Sequence, residues 1–147
     1  MKKITYSNGE RLQPAEYIAF LRRSELGRMY PKKDFEQRIG RLLQHASATV
    51  TARHQTELVG VCLGVSDFTY FLFVTDIGVA RGYERRGIGR ELLRRLHDAV
   101  GGPQDITVVT WSNAAAKPFY AVCGIAPQDG LVGREASDWE LFDISAS

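Results

Sequence analysis

Ile77-Gly78-Val79-Ala80-Arg81-Gly82-Tyr83-Glu84-Arg85-Arg86-Gly87-Ile88-Gly89-Arg90 is the stretch on which the fold turns. An apolar run breaks into a basic loop that carries glycines, and the chain then resumes with helical spacing. A strand over 70–79 delivers the chain to the turn, and Gly87 and Gly89 remove side chains where another group must approach. The helix opening behind them points N–H groups outward that no residue of the helix can accept from. Such a helix start takes an anion, a phosphate or pyrophosphate.

Two other phosphate-binding patterns are excluded. The P-loop ends in Gly-Lys-Ser/Thr, which Gly87-Ile88-Gly89-Arg90-Glu91 lacks, and the dinucleotide fingerprint needs a third glycine where Leu92 stands. The surviving pattern, Glu84-Arg85-Arg86-Gly87-Ile88-Gly89 after a hydrophobic strand, resembles the acyl-CoA loop of the GNAT family of N-acetyltransferases, Gln/Arg-x-x-Gly-x-Gly/Ala. Glu84 departs from it and sets a negative charge beside the pyrophosphate, offset by Arg85, Arg86 and Arg90. Downstream, Asn113-Ala114-Ala115-Ala116-Lys117-Pro118-Phe119-Tyr120-Ala121-Val122-Cys123-Gly124-Ile125 is similar to the family's Asn-x-x-Ala-x-x-Phe-Tyr-x-x-x-Gly-Phe element, with Ile125 in place of Phe. A helix over 114–122 would align Asn113, Ala116 and Tyr120 along one side. The resemblance spans roughly residues 47–125.

That resemblance implies an α/β fold of one domain, residues 1–147, with a mixed, mostly antiparallel central sheet flanked by helices. Its fourth and fifth strands splay, and acetyl-CoA, the acyl donor, lies in the wedge. The pantetheine arm would pair with the backbone of Ile77, Gly78 and Val79, and the pyrophosphate would sit on Arg85, Arg86, Gly87, Ile88, Gly89 and Arg90. Asn113 and Ala116 would face the same cofactor. Asn113 also reads as a plain cap for the helix after it.

Acetyl transfer to an amine needs a fixed thioester, a polarised carbonyl, a neutral amine and a proton for the departing thiolate. Tyr120 is the expected general acid, since a phenol stays protonated at neutral pH, and a core aromatic is the alternative. Pro118, inside the expected helix, would remove one backbone bond. Asp76 is the expected base: a carboxylate inside a strand costs energy unless it is paired or solvated; a partly exposed or ion-paired aspartate at the strand's edge is the other reading, and a water chain to bulk could replace any single base. Asp67 and Tyr70 are weaker candidates. Arg28 and Tyr30, at the joint between the first two helices, are expected to wall the acceptor site.

The charge balance, 19 Lys and Arg against 17 Asp and Glu, demands no nucleic acid. The local cluster of Arg81, Arg85, Arg86, Arg90, Arg94 and Arg95 lacks the aromatic interleaving of an RNA platform. No apolar run is long enough for a membrane span, and Met1-Lys2-Lys3-Ile4-Thr5 lacks a signal-peptide core, so a cytoplasmic location is expected. Cys62 and Cys123 read as buried small residues, and His45, His54 and His97 lack metal spacing, so no metal is expected. The acceptor is expected to be a primary amine on a small molecule; a protein or peptide acetyltransferase and a non-catalytic acyl-CoA sensor are the alternatives. The oligomeric state stays open, a homodimer included.

Hydrophobic periodicity sets the element order. A short strand at 4–6 precedes a helix from Pro14 with Ala15, Ile18 and Leu21 as its stripe, ending near Gly27. Asp34 is expected to cap a second helix with Phe35, Ile39, Leu42, Leu43 and Ala46 inward. Ala48, Val50 and Ala52 alternate with Thr49, Thr51 and Arg53 as a strand with one wet face. Strands at 58–65 and 68–79 read as buried on both faces. A helix with Ile88, Leu92, Leu96 and Ala99 inward ends at Gly101-Gly102-Pro103, followed by strands at 106–110 and 139–144 around the helix at 114–122.

Overall fold

The computed structural model describes residues 3–145. Five strands form the central sheet in the order β1 (Thr5–Asn8), β3 (Ala48–His54), β4 (Glu57–Ser66), β5 (Phe71–Val79), β6 (Thr107–Thr110). All neighbours are antiparallel except β5 and β6, which run parallel across the helix α3 (Ile88–Val100). The expected mixed, mostly antiparallel sheet is therefore present. The strand expected at 139–144 shrinks to β7 (Leu141–Phe142) and leaves this sheet, pairing instead with β2 (Tyr30–Pro31). Pairing with β2 also brings Lys32 and Lys33 to Glu140 and Asp138.

The two sheet faces can be assigned from cross-strand partners, which share a face. A Cβ on Gly60 would meet Leu92 and Ile88, so Gly60, Cys62 and Gly64 of β4 face α3, together with Val79, Ile77 and Val74 opposite them. Val61, Leu63 and Val65 face the other way, with Gly78, Asp76 and Phe73. The even-numbered residues of β5 thus change sides along the strand. The register slips between Leu63 and Gly64, leaving Thr75 as an extra residue on β5, and that bulge turns the alternation over. Leu72 and Val74 are buried under α3, whereas Asp76 is buried under α1 (Pro14–Arg22).

α1 buries Tyr17, Phe20 and Leu21; of the expected stripe Leu21 is buried, Ile18 packs partly buried against the core and Ala15 is exposed. It stops at Arg22, and a 3-10 turn, Glu25–Arg28, crosses β5. Gly78 makes that crossing possible: an added Cβ would lie 2.9 Å from Ser24 Oγ and 3.1 Å from Leu26. α2 (Phe35–His45) packs beside α1, with Phe35 edge-on to Tyr30 and Phe142. Asp34 occupies its cap position in a left-handed conformation, φ 48°, and its side chain caps nothing. α3 keeps the expected inward stripe except that Val100, not Ala99, is its last buried residue.

The wet face expected for β3 is covered. Thr51 is fully buried because its hydroxyl donates to Glu10 at 2.6 Å, so burial strands no polar atom. Arg53 organises the rest, bonding Glu10, both oxygens of Glu16 and the Thr56 carbonyl. β5 also departs from the expected two-sided burial: Phe71 is exposed, and Phe68 lies before the strand in a turn with φ 60°.

Replacing Arg53 with Met should lower stability by about 2–3 kcal/mol in urea unfolding, since charge-assisted bonds are lost and Glu10 keeps no cation. The Arg53 guanidinium holds the Glu10 carboxyl below its usual range. The stability it contributes is present above the unfolded carboxylate range and is lost as pH falls through the folded value, so Arg53→Met should flatten the acid limb of a stability–pH curve. Gly78→Ala should cost about 1–3 kcal/mol by driving a methyl into Ser24 and Leu26.

Candidate active site

The start of α3 carries a concentrated set of unused donors. Gly87 is its cap residue at φ 80°, and Arg85 and Gly82 are also left-handed, at 61° and 91°. The first bond into the helix runs from Glu91 N–H to the Gly87 carbonyl, and among the described residues no backbone carbonyl accepts from the N–H groups of residues 87–90. These amides sit on a helix start, where the aligned peptide dipoles favour negative charge. A cavity of about 950 Å³ begins beside them at Gly87 and Arg90 and runs along α3 past Arg94 and His97 to Thr107 and Cys123.

The arginine cluster divides into two groups. Arg94 and Arg95 pair with Glu91, whose carboxyl they hold down at about 2, and Arg94 also meets Asp98. Arg81 pairs with Glu25. Arg85, Arg86 and Arg90 are exposed, and no carboxylate among the described residues lies within ion-pair distance of them; Arg86 stacks over the Tyr83 ring at 5.2 Å. The missing side chain of Gly89 serves packing as well. A Cβ there would lie 2.9 Å from the Phe119 ring, so the missing side chain admits α4 (Lys117–Val122).

β5 and β6 pair only from Phe71–Thr107 to Val74–Thr110. Thr110 Oγ1 donates to the Val74 carbonyl at 2.8 Å and pins the fork where the Thr75 bulge begins. Beyond it, Ala80 N–H donates to Val59 on β4, so Ile77 and Val79, out of step with it, turn their backbone groups to the edge that β6 has left. That edge closes again where Ser24 bridges Ala80 and Arg81 N–H reaches the Arg23 carbonyl. The result is a short gap with outward backbone at Ile77 and Val79, while Gly78 serves the crossing of the 3-10 turn.

Tyr120 stands beside the fork, buried next to Thr110, Cys62 and Cys123. Burial pushes its phenol above the ordinary value, with the Thr110 side chain pulling the other way. α4 begins at Lys117, not at 114, so Asn113 precedes the helix and shares no helical face with Tyr120. Asn113 Oδ1 and its carbonyl both accept from Ala116 N–H, at 2.9 and 3.1 Å, which occupies the Ala116 amide. Pro118 falls in the first turn of this short helix, where no backbone bond is lost.

On the opposite face, Asp76 is 5% exposed. Its Oδ2 accepts from Tyr17 Oη at 2.5 Å and Tyr30 Oη at 2.6 Å. Burial holds this carboxyl above the usual range, and the two phenols oppose that rise. The edge-strand, ion-paired alternative is thus overturned. Tyr30 is placed as a partner of Asp76, and Arg28 is exposed and paired with Glu25 at 3.5 Å. Asp67 loses its candidacy: its Oδ1 accepts N–H bonds from Thr69, Tyr70 and Phe71, which hold the carboxyl low and tie it to the turn. Tyr70 is exposed on that turn.

The fold thus brings the α3 start, the open edge of β5 and Tyr120 to one side and Asp76 with Tyr30 to the other, with the gap between β5 and β6 joining them. Tyr17, Thr75 and Thr110 were not among the expected site residues. A tyrosine at the inward position of α1, with a hydroxyl that must find a partner, was the one local signal for Tyr17.

The described residues include no helix long and apolar enough to cross a membrane. No curated protein matches the chain. Among solved structures it is similar to a protein of unknown function and probable acetyltransferase from methicillin-resistant Staphylococcus aureus, at 21% identity, TM-score 0.72, covering 92% of this chain and 98% of that one. A GNAT-family acetyltransferase from Streptococcus pneumoniae aligns at 21% identity and TM-score 0.66 over 90% of this chain and 100% of that one. The aminoglycoside N-acetyltransferase AAC(6')-Iy, in complex with CoA, aligns at 12% identity and TM-score 0.66 over 93% and 97%. These likenesses carry the fold. The model of the acetyltransferase (GNAT) family matches residues 15–125, a wider span than the motifs marked, and the chain belongs to that family of acetyl-CoA-dependent acyltransferases.

Proposed function

We propose that this chain, as one catalytic domain over residues 1–147, transfers an acetyl group from acetyl-CoA to a primary amine of a small molecule in the cytoplasm. The observation that carries this reading is the run of amides at residues 87–90 with no backbone acceptor, with three arginines that meet no carboxylate among the described residues, beside the half-paired strand β5. A diphosphate needs many donors at one helix start, and these residues offer them. Because Arg81, Arg94 and Arg95 are already engaged, the remaining cations suit one pyrophosphate better than a nucleic-acid backbone. The cavity along α3 gives room for the rest of the nucleotide.

In this reading Arg85, Arg86 and Arg90 with the amides of Gly87, Ile88 and Gly89 hold the donor. The outward backbone of Ile77 and Val79 orients its arm, and the Val79 N–H polarises the acyl carbonyl. Tyr120, kept protonated by burial, supplies a proton to the departing thiolate. Asp76 takes the proton of the acceptor ammonium, a part that suits a carboxyl raised by burial. AAC(6')-Iy is named as an aminoglycoside acetyltransferase, which supports a small amine as acceptor. Arg28 lies on the same acceptor side as Tyr30.

Acetyl-CoA should raise the melting temperature, because it binds the native state alone. Gly87→Asp puts a charge into the cradle and a side chain at a left-handed φ; it should lower the apo melting temperature and abolish the shift, whereas Arg85→Ala or Arg86→Ala should only reduce it. Retention of the wild-type shift in Gly87→Asp would refute the cradle.

For the chemistry, Tyr120→Phe should cut turnover about 10²–10⁴-fold while the acetyl-CoA shift persists. An amine screen read by thiol release, with mass spectrometry of the product, separates the outcomes: an acetylated small amine supports the proposal, acetylated protein moves it to the peptide class, and binding without thiol release makes the chain a sensor.

A further inference from the structure

Asp76 has a difficulty as a base that its surroundings resolve. At 5% exposure, and with Oδ2 already accepting from two phenols, its carboxylate is closed off from an ammonium in solvent. Of the three groups in this cluster, Tyr17 is wholly buried in α1, and Tyr30 is the least buried, with part of its surface exposed. Tyr30 stands on β2, held there by β7 behind it and by the edge of the Phe35 ring. The groups bonded to Asp76 are Tyr17 from α1, Tyr30 from β2 and Thr75 on its own strand, with Cys62 nearby on the other face of β4; none of these carries a positive charge.

We propose that the Tyr30 hydroxyl passes the proton from the acceptor ammonium to Asp76, with Tyr17 as the positioning residue that holds the Asp76 carboxylate for it; this rests on the acetyl-transfer reading above. A phenol has one proton to give and lone pairs to receive one. Tyr30 donates to Asp76 Oδ2 while its oxygen takes a proton from the ammonium, so the two transfers are concerted and Tyr30 never becomes a phenolate. The step balances: an N–H bond breaks and an O–H bond forms at Tyr30, the former Tyr30 proton forms an O–H bond at Asp76, and the amine becomes neutral. The amine lone pair then forms the C–N bond as the C–S bond breaks; the second nitrogen proton replaces the one Tyr120 gives to sulfur, and Asp76 returns its proton to solvent by the same path. Because no cation among the described residues compensates Asp76, accepting a proton relieves a buried charge.

The test uses Tyr30→Phe, Tyr17→Phe and Asp76→Asn in the full chain, with Asp carboxyl carbons labelled for NMR titration and Asp76→Asn assigning the signal. Thiol release from acetyl-CoA is measured with benzylamine, an ammonium at neutral pH, and with aniline, already neutral there. Each phenylalanine variant removes one donor to the charged carboxylate and should raise the Asp76 midpoint by about one unit. Tyr30→Phe should slow benzylamine by roughly 10²–10³-fold and aniline far less. Tyr17→Phe should move the acid limb of the benzylamine profile upward and recover its rate at high pH. An unmoved Asp76 midpoint in Tyr30→Phe, or equal losses with both amines, overturns the relay. A wild type that releases thiol from benzylamine no faster than Tyr30→Phe overturns the relay alone if acetyl-CoA still raises its melting temperature; absence of that shift overturns the acetyl-transfer reading as well.

Discussion

Beyond the bulge, β5 is a strand paired on one edge only, and much of the molecule is arranged around that constraint. Buried backbone N–H and C=O groups must find partners, so a central strand that loses its neighbour needs water, a ligand or another segment beside it. The Thr110–Val74 bond marks where β6 leaves, and the Ser24–Ala80 bridge marks where the 3-10 turn takes over. Between these marks the sheet is open by construction. The Thr75 bulge coincides with the parting and turns the strand's alternation over, so Leu72 and Val74 complete the core under α3 while Asp76 faces α1.

Electrostatics follow the same division. On the α3 side, positive potential collects from backbone dipoles and from the three arginines that meet no carboxylate among the described residues, while the remaining arginines of that cluster are neutralised in helical pairs or by Glu25. On the α1 side a lone carboxyl sits in a dry setting, its charge spread over two phenols. In the proposed acetyl transfer, a cationic amine would be drawn to the second side and an anionic donor to the first, and they would meet at the gap in the sheet. This separation keeps Asp76 away from the arginines that would otherwise hold it ionised and weak as a base.

The local features of this division were legible in the chain to different degrees. The loop from Arg81 to Arg90, the α3 stripe and the β4 core are written in short-range patterns of glycine and apolar spacing, and the structure keeps them. In the α1 stripe Leu21 was legible but Tyr17 was missed in favour of Ala15: Ala15 is apolar but small, whereas Tyr17 buries a ring and satisfies its hydroxyl on Asp76. Thr51 was assigned to solvent for the same reason, since pattern alone does not reveal that Glu10 awaits its hydroxyl. At α4, the turn at Asn113–Ala116 delays the helix, and side-chain-to-backbone bonding by asparagine, not periodicity, sets its start.

By itself, then, the sequence determined the family, the order of the main strands and helices, and the glycine-bearing start of α3, because each depends on residues within a few positions of one another. Tertiary structure alone decided which arginines remain free, what Gly89 makes room for, where β7 docks, and that Asp76, Tyr17 and Tyr30 form one cluster. Those contacts join residues 46 and 59 positions apart along the chain. Their hydrogen bonds depend on a helix phase, a strand bulge and a turn acting together, and no local spacing encodes that combination.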